Sequence, residues 1–133
     1  MLPRALLRSL LVLVVTVALA YGFALGLRFG LVERDDLGAY CEVATPAWWC
    51  AVRILVIRGF LHGVYGYVSI VLAGLASWRR SAGLAYGGLV VGTLGMVLYD
   101  FTWSGVGVVA SALVLARLQG EWQEHGEAKQ HAR

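Results

Sequence analysis

Residues 48–80 read WWCAVRILVIRGFLHGVYGYVSIVLAGLASWRR. The run is long and mostly apolar, with tryptophans near both ends and the basic pair Arg79–Arg80 closing it. Interfacial aromatics and a terminal cationic pair around an apolar stretch are the layout of a membrane-crossing helix. Arg58 and His62 lie inside this run, where hydrocarbon would make both costly.

Working outward, three more apolar runs fall into place. The first is 5–32, the second 51–77 within the quoted stretch, the third 82–100 and the fourth 103–118. The chain of 133 residues is 59% hydrophobic and only 14% charged, against roughly 25% charged in soluble domains. The charge deficit and the long runs predict an all-α, integral membrane four-helix bundle in a single domain. Residues 33–50 form the one sizeable loop, and 119–133 a polar, mobile tail with little helix. Arg4, Arg8 and the following apolar run up to Ala18-Leu19-Ala20 have the outline of a secretory signal, but the run continues past that point, which favours a retained helix.

Four spans place both termini on one side. Arg4, Arg8, Arg79, Arg80, Arg117, Lys129 and Arg133 fall on that side, against Arg28, Arg34 and Arg53 on the other. The excess of positive charge marks the cytoplasmic face. The loop with Glu33, Asp35, Asp36 and Glu42 then faces outward, and the Ala-, Gly-, Val-, Leu- and Arg-rich composition without Asn points to a bacterial inner membrane. The net charge of +3 is spread over spans and short loops, so it gives no nucleic-acid surface.

Lipid gives helices no hydrophobic reason to associate, so small residues that admit close backbones are the expected contacts. Gly83 and Gly87, Gly88 and Gly92, with Gly95, supply them in the third run; Gly59, Gly63 and Gly66 in the second; Gly107 and Ser111 in the fourth.

Cys41 and Cys50 share the outer loop, with Pro46 between them, in an oxidising compartment. A stapling disulfide is expected. Membrane thiol oxidoreductases on a four-helix core are similar in outline, but they carry a C-x-x-C or a second cysteine pair, which this chain lacks. The loop has no histidine to complete a metal shell, so no metal site is expected.

At 100° per residue, Arg58, His62, Tyr65 and Ser69 fall within an arc of about 60° on one straight helix. The arc predicts a buried polar stripe, with Asp100 as the partner of Arg58. The stripe has a structural reading, in which these groups satisfy one another or a partner subunit. It also has a functional one, a contact for a proton, a quinone head group or a haem. One intramembrane histidine supplies one axial ligand, so a bis-histidine haem within the chain is excluded.

No phosphate loop, H-E-x-x-H, nucleophile elbow or carboxylate pair is present, so catalysis is not expected. Small four-helix drug exporters resemble the chain in size and topology, but they use an acid in the first span and this span has none. The leading expectation is a non-catalytic accessory subunit of a larger membrane complex. The alternatives are a small homo-oligomeric transporter or channel, and a membrane redox protein using quinone or haem.

Overall fold

A computed structural model describes residues 3–43 and 48–133. Pro46 lies outside them. Among the described residues every regular element is helical. Helix α1 spans Arg4–Leu27 and continues as a π-helical turn over Arg28–Val32. Then come α2 (Asp35–Val43), α3 (Trp48–Leu61), α4 (Val64–Arg79), α5 (Ala82–Val97) and α6 (Phe101–His131).

The run 51–77 is not one helix. It breaks at His62–Gly63, where Gly63 has φ +66°, a left-handed conformation open to glycine and costly for a Cβ-bearing residue. The Tyr65 ring folds back against Gly59, where an added Cβ would lie 3.0 Å from it, so α3 turns away from the line of α4. The segment 33–50 is also not a plain loop, since it holds α2 and the start of α3. The tail departs from expectation in the same direction: α6 runs unbroken to His131. Glu, Gln, Ala and Lys are strong helix formers, and Arg117 pairs with Glu121 one turn on at 3.2 Å.

Helices α4, α5 and α6 pack on one another, α1 packs along α5, and α3 touches chiefly the start of α4 and the π turn. Two tight corners join the central three. Arg80 and Tyr99 adopt left-handed φ of 50° and 74° after the ends of α4 and α5. In each corner the next amide donates five residues back, Ser81 to the Ala76 carbonyl and Asp100 to the Gly95 carbonyl. That is the Schellman bond, which satisfies a carbonyl the helix leaves free.

The interior is made of small residues. Ser69, Ser104, Ser111, Ala76 and Ala85 are fully buried, while large apolar side chains such as Leu11, Leu19, Leu55 and Leu113 face outward. Gly66, Gly88, Gly92, Gly95 and Gly107 hold the helices at backbone distance. A Cβ on Gly92, for example, would lie 2.6 Å from Val108 and 2.7 Å from the Ser69 hydroxyl. Gly83 and Gly87 have only ordinary contacts, the nearest at 3.7 and 3.8 Å. They occupy a different line of α5 from Gly88, Gly92 and Gly95, and one face alone can meet both α4 and α6.

Among the described residues two helices are long and apolar enough to cross a membrane, Arg4–Val32 and Phe101–His131. The 16-residue helices α4 and α5 are shorter, about 24 Å each at 1.5 Å per residue. One end of the bundle gathers Arg80, Arg117 and Glu121, and there Gln119 donates to the Ser9 hydroxyl. The opposite end carries the features described next.

Candidate functional site

At that opposite end the π turn after α1, α3 and α5 finish, and α4 and α6 begin. A helix presents unmet carbonyls and partial negative charge where it ends, and unmet amides and partial positive charge where it starts. The charged side chains follow this rule. Arg53, from α3, donates to the Leu31 and Val32 carbonyls at 3.0 and 3.3 Å, closing the end of the α1 π turn. Arg28 donates to the Val97 carbonyl at the end of α5, at 3.3 Å. Asp100 meets the two starting helices. Its Oδ2 accepts from the Gly66 amide in the first turn of α4 and from the Ser104 hydroxyl in the first turn of α6, both at 3.0 Å.

Asp100 is therefore not the partner of Arg58. It is 8% exposed and serves the helix starts, whereas Arg58 and His62 are both exposed. The predicted stripe does not form, because the 100° rule holds only along an unbroken helix and the chain bends between His62 and Tyr65. His62 Nδ1 donates to the Arg58 carbonyl at 2.9 Å. Tyr65 is half-buried, with its hydroxyl 3.4 Å from the Val56 carbonyl. Ser69 is fully buried in the core and donates to the Gly88 carbonyl at 2.6 Å. Ser111 is buried without a hydrogen-bond partner for its hydroxyl.

The sequence reading passed over a second cluster. Arg28 Nε donates to Glu33 at 2.8 Å and its Nη2 lies 2.6 Å from the Tyr99 hydroxyl. That hydroxyl donates to the same Glu33 oxygen at 2.8 Å, and the guanidinium lies 4.2 Å above the Tyr99 ring. The hydrogen bond from Arg28, then that from Tyr99, hold the Glu33 carboxyl below its ordinary value. The signal available in sequence was two opposite charges five residues apart, straddling the end of the first apolar run.

Between these groups lies an open cleft of about 280 Å³. Asp100 and Gly63 contribute to it, with Phe60, His62, Tyr67 and Trp103 around them. Tyr67 and Trp103 stack at 5.5 Å between centroids, and Phe60 leans on Tyr99 at 6.0 Å. A separate groove on the other side of the bend, about 460 Å³, exposes Arg58, His62 and Tyr65 beside Leu55. Cys41 and Cys50 are joined, with Cα atoms 5.7 Å apart, tying α2 to the start of α3. No group of three or more His, Cys, Asp or Glu side chains among the described residues is placed to hold a metal.

These features define an all-helical bundle with membrane-crossing candidates, a small-residue core and a charged, capped end. Set against protein-family models, curated proteins and solved structures, the chain matches none.

Proposed function

We propose that the chain is a non-catalytic accessory subunit of a larger assembly in a bacterial inner membrane. In this reading α1, α4, α5 and α6 cross the bilayer, and the stapled α2–α3 segment covers the periplasmic end. Both termini are cytoplasmic, on the side that gathers Arg80 and Arg117. The short α4 and α5 fit a bilayer that thins around them or is met by flanking polar residues.

The observation that carries the reading is the outward display of Arg58. Its guanidinium is exposed on the groove at the α3–α4 bend, and no carboxylate pairs with it among the described residues. A cation at the edge of an apolar body calls for an anionic or carbonyl partner beyond the chain. A transport path has less support, because the α4–α5–α6 interior is filled at backbone distance by Gly88, Gly92, Gly95, Gly107 and the buried serines.

The test is purification of a tagged copy at native expression level in mild detergent, with mass spectrometry of every co-migrating chain. Stoichiometric larger subunits are expected, and Arg58→Ala should weaken their retention without changing the melting of the isolated chain. Recovery of a homo-oligomer alone would overturn the reading and favour transport.

A further inference from the structure

The cleft beside Asp100 is a polar site at the capped end of the bundle. Asp100 is nine-tenths buried, yet no Lys, Arg or His among the described residues forms an ion pair with it. Its two hydrogen bonds both fall on Oδ2. A carboxylate offers about four acceptor positions, so capacity remains on Asp100, which lines the cleft. The nearby guanidinium, Arg28, is engaged by Glu33, Tyr99 and the Val97 carbonyl.

Aromatic rings surround this carboxylate. Tyr67 and Trp103 are half-exposed as a stacked pair, and Tyr99 and Phe60 stand at the other wall. Ring faces attract cations that shed water easily, alkylated ammonium groups above all. A calcium or magnesium ion wants six or more oxygen ligands, and one carboxylate among aromatic rings does not supply them. The volume of about 280 Å³ admits an ammonium head with its methyl or methylene groups.

We infer that the outer cleft binds an organic ammonium group, with Asp100 as counter-ion and Tyr67 and Trp103 as its aromatic wall. The same chemistry is offered by the head group of a zwitterionic lipid and by a small free amine. The inference concerns the chain alone and holds with or without partner subunits.

The experiment uses the purified full-length protein and follows tryptophan fluorescence and calorimetric heat. Choline and ethanolamine serve as soluble probes in lipid-free micelles, and phosphatidylcholine, phosphatidylethanolamine and phosphatidylglycerol as lipids in nanodiscs. Saturable choline or ethanolamine binding in micelles identifies a free-amine site. Binding confined to the two zwitterionic lipids, and absent with phosphatidylglycerol, identifies a head-group site. In either case Asp100→Asn should weaken binding by at least about tenfold. Its side-chain oxygen can still accept from Gly66 and Ser104, so the fold is kept. Tyr67→Ala, at an exposed position, should weaken binding as well and guards against a folding defect in the first variant. Equal binding by the uncharged tert-butyl isostere of choline would overturn the inference, as would wild-type affinity in both variants or no binding of any probe.

Discussion

The carboxylate of Asp100 accepts from the backbone amide of Gly66, 34 residues earlier, at 3.0 Å. One side chain thereby holds the start of α4 against the start of α6, since Asp100 also stands at the entry to α6 and accepts from Ser104. The bond fixes where α4 begins, and so where the chain bends after α3.

Removing that carboxylate should cost stability. Asp100→Ala leaves the buried Gly66 amide and Ser104 hydroxyl without their acceptor, an expected loss of about 3 kcal/mol. Asp100→Asn should lose much less, and Arg58→Ala should change little, because Arg58 is exposed. Denaturant titration in detergent separates the three. Equal loss in the Asp100→Ala and Arg58→Ala variants would contradict the assignment.

The two glycine lines of α5 and its neighbours should respond differently. Gly107→Ala drives a methyl into Ser69 and should destabilise by about 1–3 kcal/mol. Gly83→Ala meets nothing closer than 3.7 Å and should be neutral, or stabilising by about 0.5–1 kcal/mol through lower chain entropy. Melting temperatures of the two variants in one detergent decide the matter.

Gly63 is the pivot of the bend. Gly63→Ala should cost about 1–2 kcal/mol, the penalty of a Cβ in the left-handed region. Gly63→Asn should cost less, since asparagine visits that region more readily. The pair can be compared by thermal unfolding, and similar losses for both would mean that packing rather than backbone conformation is at stake.

Glu33 predicts the acid response. Its folded carboxyl is held below its ordinary value of 4.5, first by Arg28 and then by Tyr99. The unfolded chain therefore binds the proton more readily, and stability rises with pH through this window. The contribution is present above about pH 4.5 and fades as pH falls through the lower folded value. Glu33→Gln should flatten part of this dependence. Melting curves from about pH 6 to about pH 3 should diverge between wild type and variant at the upper end and converge at the lower. Parallel curves would remove Glu33 from the account.

Reduction of the Cys41–Cys50 bond should loosen the α2–α3 segment. Nine positions separate the two residues, and closing so small a loop contributes about 2–3 kcal/mol in the chain-entropy picture. Hydrogen exchange before and after reduction should show increased opening of α2 and α3, with α4 to α6 unchanged.

Some of this protein was settled by sequence alone. The all-helical class and the apolar runs depend on composition and spacing, which do not change with the path of the backbone; the Cys41–Cys50 bond was an expectation that the fold then brought within reach. The tertiary structure decided the rest. A hydropathy run from 48 to 80 reads as continuous because it sums side chains, whereas the break at Gly63 is a property of one backbone angle. Whether a glycine takes that angle depends on Asp100, far along the chain, accepting from Gly66, and on Tyr65 folding over Gly59. Once the helix broke there, Arg58 and His62 left the line of Ser69. The predicted stripe gave way to a capped end in which Arg28, Arg53 and Asp100 each answer the polarity of the helix ends they meet. Those partners are set by which ends three-dimensional packing brings together, and linear spacing carries no record of it.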